Sequence, residues 1–193
     1  MYENEEYCTQ RILDLLVDDP SMILMIKNKY LNDTLWMFSI EKEPSLFKHI
    51  KDPSKEICYF ACEVDGNNLK VIRKKFPHVP IDAKMCYLAI KSAPNAIFHV
   101  PKALQDEGLK ELACDRDPSL MKCFDLRPAY IERKIKEHPT YIQFVDNPSD
   151  ELKLLAMKGD INVCSHFDSF SPRIKEEIRD SNPEIYSMLF PED

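Results

Sequence analysis

The sequence predicts an all-α fold: a solenoid-like array of about eight short helix-turn-helix repeats. Three observations support this prediction. Two stretches, "DPSKEICYFACEVDGNNLKVI" at 52–72 and "NPSDELKLLAMKGDINVCSHF" at 147–167, carry the same residues at many matching positions. Corner residues precede short apolar runs along the whole chain. The chain has only 3 glycines but 14 prolines, which suits helices separated by stiff corners.

Each repeat is anchored on the corner residue before a short apolar run. By our alignment the anchors recur about every 21 to 28 residues. We interpret each repeat as a first helix of roughly ten residues, a tight corner, and a second helix of one to two turns. The anchors are Pro20, Pro44, Gly66, Pro94, Pro118, Pro139, Ile161 and Pro183.

The start of the first helix is clearest in the two similar stretches. Asp52 and Asn147 have short side chains that can cap a helix. Pro53 and Pro148 follow them and suit the first helical position, where the missing N–H costs nothing. We therefore predict that these helices begin at the two prolines.

Two sets of positions predict how the repeats pack. The position four before the anchor is apolar in the first seven repeats and is Arg179 in the last, which predicts a buried stripe. The position five before the anchor is small in five repeats, which predicts a close seam between neighbouring helices. The small residues are Ser39, Ala61, Ala89, Ala113 and Ala156. The third and sixth positions after each anchor are again apolar. Because a helix this short is only marginally stable by itself, we expect the second helix to pack against the next repeat.

The array is predicted to form a single α-helical repeat domain over residues 1–193, with a possible break near 76–82. This segment lies in the longest repeat, within "FPHVPIDAK" at 76–84. The alternative is a compact, irregular α-helical bundle in which the same repeats fold back on each other. The last repeat ends in "MLFPED" and resembles a cap.

Composition excludes several classes of protein. Three glycines do not support a glycine-rich phosphate loop. No stretch reaches the roughly 18 to 20 apolar residues of a membrane span, and "MYENEEYCTQ" is acidic where a secretion signal is basic. Seven cysteines at scattered positions, without a CxxC pair, predict reduced thiols. These features predict a cytoplasmic protein.

The charge of −7 is distributed unevenly along the chain. Residues 66–158 hold 12 acids and 16 bases, and both flanking regions are acidic. Most of this local basic excess comes from "LKVIRKKF" at 69–76. A long basic track is absent, so we do not expect direct binding to duplex nucleic acid.

The pattern (D/N)-P-S-x-x-L-x-x-x-A followed by P-x-x-I-x-x-F extends over nearly the whole chain. It resembles the short α-helical repeats of unknown function that are common in hypothetical proteins of large bacteriophages and of some intracellular bacteria. The resemblance implies an architecture and a viral origin. It transfers no catalytic residue.

Cysteines and histidines recur at repeat positions. Cys58 and Cys62 lie four apart, as metal or redox pairs do, but both occupy predicted core positions. Cys86, Cys114, Cys123 and Cys164 also fall on positions predicted to face inward. His49, His99 and His166 all stand five residues after an anchor, either as a half-buried packing position or as a ladder for anions or metal. The acids lie mostly at caps and on solvent faces, so we predict no metal site, no cofactor and no enzymatic activity.

One segment is predicted to contact a partner. It interrupts the repeat spacing and combines a basic cluster with an aromatic residue that we expect to be exposed. Its residues are Arg73, Lys74, Lys75, Phe76 and His78. Trp36, the only tryptophan, is predicted to fill the core.

These features predict a non-catalytic protein that binds another protein through an extended helical surface. With the phage resemblance, the expected role is inhibition of a bacterial defence or host nucleic-acid enzyme by surface blocking, as anti-CRISPR proteins do. The alternative is an oligomeric sponge that sequesters a small signalling nucleotide with His, Lys and Arg side chains.

Overall fold

The computed structural model describes the backbone of residues 2–191 and the side chains of residues 8–191. All regular structure in this range is helical, which confirms the all-α fold class. Each repeat has a first helix, which is an α-helix, and a shorter second helix. The first helices are α1 (Tyr2–Asp18), α2 (Asp33–Lys42), α3 (Lys55–Val64), α5 (Ala83–Ser92), α6 (Glu107–Arg116), α7 (Pro128–Glu137), α8 (Asp150–Gly159) and α9 (Pro172–Ser181).

The second helix is a 3-10 helix of six residues in six repeats and a short α-helix in the third and eighth. The second helices are η1 (Pro20–Met25), η3 (Pro44–His49), α4 (Asn68–Lys75), η4 (Pro94–His99), η6 (Pro118–Cys123), η7 (Pro139–Phe144), η8 (Ile161–His166) and α10 (Pro183–Leu189). Two further 3-10 turns, η2 (Asn28–Tyr30) and η5 (Lys102–Leu104), lie in connecting segments.

The predicted repeat register is confirmed. Seven second helices begin at the anchor itself, and six of those anchors are prolines, whose missing N–H is not needed at that position. In the third repeat the anchor Gly66 lies in the turn just before α4. After α1, every first helix has ten residues.

The predicted helix starts were wrong by two residues. Ser54 caps α3, with its Oγ accepting from the amide of Ile57 at 3.2 Å. Ser149 caps α8 in the same way, accepting from Leu152 at 3.3 Å. Serine in extended backbone satisfies a first-turn N–H, so the helix begins after the serine and the preceding proline lies outside it. Asn147, predicted as a cap, instead adopts a φ of 48°, in the left-handed region.

The predicted seam is confirmed. Its five small residues are fully buried, and apolar residues of the predicted stripe surround them. Two positions differ from prediction. In the last repeat Arg179 is exposed while its neighbour Ile178 is fully buried, so the stripe shifts by one residue. Cys123, predicted to face inward, is exposed at the end of η6.

One recurring contact links three pairs of consecutive first helices: α2 with α3, α3 with α5, and α8 with α9. The first residue of a helix bonds the N-cap residue of the next first helix. Ser54 Oγ donates to Asp33 at 2.7 Å, and Ser171 Oγ donates to Asp150 at 2.6 Å. Lys55 forms the equivalent ion pair with Asp82, the N-cap of α5, at 2.7 Å. These polar contacts at the helix starts therefore help to hold the register of the three pairs.

The chain divides into two compact units, an N-terminal unit (Met1–Arg116) and a C-terminal unit (Asp117–Asp193). The boundary falls within the fifth repeat, between α6 and η6. Residues 76–82, where a break was considered, lie inside the N-terminal unit. The single-domain organisation stays a prediction. Over residues 2–191, each helix is too short or too polar to cross a membrane.

Candidate functional site

The predicted partner segment comprises the last turn of α4 and the residues just after it. Arg73, Lys74, Lys75 and His78 are exposed, as expected. Phe76 is only 1% exposed, so its interpretation as a surface aromatic was wrong. Its ring packs edge-on against Phe47, with ring centroids 5.5 Å apart. The chain turns directly after α4 and carries this side chain under the helix into the core.

Two of the basic residues in this segment have a structural role. Lys75 Nζ donates to the carbonyl of Lys48 and, at 3.5 Å, to that of Ile50. Arg73 donates to the carbonyl of His99 at 3.5 Å. These carbonyls lie at the ends of η3 and η4, where the last carbonyls of a helix lack partners within it. α4 thus caps the second helices on both sides of it.

His78 is also held in place. Its Nε2 lies 3.0 Å from Asp52 Oδ1, an exposed ion pair when the imidazole is protonated. Lys74 differs from these neighbours, because its side chain makes no ion pair or hydrogen bond with the described residues. Lys74 is therefore the residue of the predicted segment that is free to contact a partner.

Lys74 belongs to a basic patch that the sequence prediction identified only in part. Lys70 lies one turn earlier on α4, is exposed, and likewise has no ion-pair partner in the described chain. Partial burial, together with the nearby charges of Lys70, Arg73 and Lys74, lowers the pKa of His99 below its ordinary value. We call these four residues the α4 patch. The spacing of Lys70 and Lys74 by four residues was the available signal for its helical face.

The three recurring histidines have different surroundings. His99 belongs to the α4 patch, and His49 lines a cavity of about 450 Å³ in the N-terminal unit together with Trp36. His166 lines a cavity in the C-terminal unit. The shared repeat position places each histidine near the end of a second helix, and its neighbours determine what it contacts.

The core cysteines serve packing. Burial raises the pKa of Cys58 to about 12 and that of Cys86 to about 11, and it also raises the pKa of Cys62. Their thiols remain protonated and unreactive at neutral pH. Across the described residues, His, Cys, Asp and Glu side chains do not form a group of three or more that could hold a metal ion.

Among the described residues, Asp82 is the carboxylate whose pKa is shifted most, and its contacts are structural. Slight burial opposes its ionisation, but hydrogen bonds from Lys55, Tyr59 and the amide of Met85 lower its pKa to about 2. The same contacts raise the pKa of Lys55 above its ordinary value. Tyr59 Oη donates to Asp82 at 2.5 Å. The cluster joins α3 to the start of α5 and holds Asp82 ionised, which does not suit a general acid.

A second candidate site, which the sequence prediction missed, lies in the C-terminal unit. It is a polar cavity of about 560 Å³. Its polar lining consists of Lys122, Gln143, Asp146, Asn147, Lys153, His166, Asp168 and Ser169. Lys153 is only 5% exposed and is the one buried residue with a formal charge in the described chain. It stands eight residues before its anchor, at a position that is apolar in five repeats, and a lysine at that position was the available signal.

The fold and these two sites define a class: an all-α repeat protein with a basic surface patch in one unit and a polar cavity in the other. Comparison with protein-family models found no match. Searches of curated proteins and of solved structures likewise found none.

Proposed function

We propose that this chain is a non-catalytic protein-binding repeat protein whose α4 patch contacts an acidic segment of a partner protein. The observation that carries the proposal is the pair Lys70 and Lys74, exposed one turn apart and without ion-pair partners among the described residues. Arg73 lies beside them, so the patch concentrates positive charge on a chain whose net charge is −7; the lowered pKa of His99 keeps that imidazole mostly uncharged at neutral pH.

The physical basis is electrostatic complementarity. A cluster of like charges without local counter-ions has a surface potential that attracts an opposite charge and speeds its encounter. A partner carboxylate can replace the missing counter-ions without a large cost, because both lysines are already exposed to water. The patch has too few cations for the many phosphate contacts on which duplex binding depends.

The resemblance to phage repeat proteins extends the proposal to the class of partner. On that basis the partner is a bacterial defence or host enzyme, and the chain inhibits it by covering its surface, in the manner of an anti-CRISPR protein. Such inhibition requires shape and charge complementarity and no reactive group.

The test has two stages. The chain is used to capture partners from bacterial lysate, and the affinity of the stoichiometric partner is then measured by calorimetry at several salt concentrations. The double variant Lys70→Glu/Lys74→Glu should weaken binding at least about tenfold at low salt and reduce its salt dependence. Both side chains are exposed, so the free energy of unfolding should change by less than about 0.5 kcal/mol.

The matched control is Lys27→Glu/Lys158→Glu, which makes the same charge change at exposed lysines outside the patch. It should bind like the wild type. Equal affinity of the wild type and the patch variant at low salt would contradict the role of the α4 patch. Failure to capture any stoichiometric protein would contradict the protein-binding function itself.

A further inference from the structure

We propose that the cavity of the C-terminal unit binds a small phosphorylated ligand, whose phosphate is held by Lys153, Lys122 and His166. This site lies in a different unit from the α4 patch and does not depend on the function proposed for that patch. The cavity of about 560 Å³ has the size of small-molecule sites, which typically measure about 300 to 1,000 Å³.

The first argument is the environment of Lys153. Lys153 is only 5% exposed, and the hydrogen-bond partners of its ammonium group are neutral: the carbonyl of Ser169 at 2.9 Å and the Oγ of the same residue at 3.4 Å. The ring of Phe167 lies 5.6 Å from Nζ and favours a cation. No carboxylate in the described chain forms an ion pair with this group. A buried cation is costly without an anion beside it, and a bound phosphate would supply that anion to Lys153.

The second argument comes from the repeat itself. The position eight residues before the anchor holds Ile12, Trp36, Cys58, Cys86 and Ile131 in other repeats. Lysine occurs there twice more, and both lysines have partners inside their own units. Lys110 pairs with Glu107 at 2.7 Å, and Lys175 lies 4.4 Å from the ring centroid of Phe190. Packing therefore does not require a lysine at 153, and Lys153 differs from the other two in facing an open polar cavity.

The third argument is the arrangement of the remaining lining groups. Lys122 and His166 stand near the ends of η6 and η8 and are exposed, so they can turn toward a phosphate in the cavity. Asp146 and Asp168, also exposed, would repel a phosphate but can accept hydrogen bonds from hydroxyl or amino groups. This combination suits a nucleoside or sugar monophosphate better than inorganic phosphate. The left-handed backbone at Asn147 lies in the same lining, and such backbone often accompanies ligand sites.

Calorimetry on the full chain tests the proposal with three probes: adenosine 5′-monophosphate, inorganic phosphate and adenosine. The monophosphate should bind one per chain and more tightly than inorganic phosphate, and adenosine should give no heat. Lys153→Met should weaken the binding of the monophosphate at least about tenfold, because it removes a charge-assisted contact in a buried site. Lys122→Gln changes an exposed side chain and should leave the fold intact. It should weaken the binding of the monophosphate several-fold.

The matched control is Lys110→Met, the same change at the same repeat position in the N-terminal unit. It should bind the monophosphate like the wild type, as should Lys70→Glu/Lys74→Glu, which separates this site from the α4 patch. The proposal is overturned if the wild type binds neither phosphate compound, if adenosine binds equally well, or if Lys122→Gln and a folded Lys153→Met variant both retain full affinity. Equal affinity for monophosphate and inorganic phosphate would overturn the assigned contacts of Asp146 and Asp168.

Discussion

Residues 52–72 and 147–167 carry similar sequences and form the same local structure, yet their surroundings differ. In both, a serine caps a ten-residue helix and a fully buried alanine, Ala61 or Ala156, forms the seam. The position that holds the buried Cys58 in the first stretch holds Lys153 in the second. Cys58 packs in the core of the N-terminal unit, and Lys153 lines the polar cavity of the C-terminal unit.

The residues just after the two stretches extend this contrast. Arg73 and Lys74 align with Asp168 and Ser169. In the N-terminal unit, Arg73 and Lys75 bond the carbonyls at the ends of neighbouring second helices. In the C-terminal unit, Asp168 and Ser169 line the cavity. The repeat pattern therefore determines the backbone and the seam, while the residues at the ends of the second helices determine whether the adjacent space is capped or open.

The largest expected effect concerns Gly66, which aligns with Ile161. A Cβ at Gly66 would lie 2.0 Å from the carbonyl oxygen of Ala89, and backbone cannot move aside cheaply. Gly66→Ala should therefore lower the free energy of unfolding by about 3 kcal/mol or more, as severe overpacking does. Urea unfolding followed by circular dichroism measures the change.

Gly108→Ala is the control for this change. A Cβ at Gly108 would meet only Asp106 Oδ1, at 3.5 Å, and the residue lies inside α6, where alanine is favoured over glycine. Its stability should stay equal or rise by up to about 1 kcal/mol. If both variants unfold at the same urea concentration, the result would contradict the close packing of the α5 backbone against Gly66.

The next effect concerns the seam beside the cavity. Ala156→Leu should lower the free energy of unfolding by about 1 to 3 kcal/mol, because the added atoms have no space between neighbouring helices. Ala61→Leu, the same change at a fully buried seam residue of the N-terminal unit, should lower the free energy of unfolding by at least as much. An unchanged melting midpoint for Ala156→Leu would show that the cavity accommodates the larger side chain and that the seam is open there.

The smallest expected effect is electrostatic: the stability contributed by the helix start of the first stretch depends on pH, through the ionisation of Asp82. Lys55 and Tyr59 of the first stretch bond Asp82, whose pKa is lowered to about 2, whereas Asp150, at the position matching Lys55, bonds the neutral Ser171. Because the pKa of Asp82 is lower in the folded chain than in the unfolded chain, where it is about 3.9, the ionised carboxylate stabilises the fold at pH values above that value. This contribution is lost as the pH falls through about 2. Asp82 is partly exposed, so we expect less than about 1 kcal/mol.

Unfolding of the wild type and of Asp82→Asn should be compared between pH 6 and 2. The wild type should be the more stable at pH 6, and its advantage should shrink as the pH approaches 2. A difference that stays constant over this range would show that the contacts of Asp82 do not depend on its charge.

Local physical chemistry made much of this fold predictable. Proline suits the first position of a helix, and apolar residues at helical spacing mark a buried face, so the anchors and the seam could be located from residue types alone. The helix starts were misplaced because an aspartate or asparagine before proline and a serine after it are competing caps, and only the backbone geometry decides between them. Even so, each helix start was displaced by only two positions.

The candidate sites were less predictable, because each depends on which elements lie side by side. The basic run at 73–75 was visible in the sequence, but the burial of Phe76, the bonds of Lys75 and the position of His99 beside Lys70 follow from packing between α4 and its neighbours. Lys153 stood at a recognisable inward position, and its burial without a carboxylate became apparent only from the surrounding helices.

The sequence by itself thus determined the helical class, the number and register of the repeats and the small-residue seam, because these depend on interactions between residues close along the chain. The tertiary structure decided which exposed lysines lack counter-ions, which aromatic ring is covered and where a polar cavity remains. Burial and charge pairing are properties of the space between elements, and residues far apart in the chain define that space.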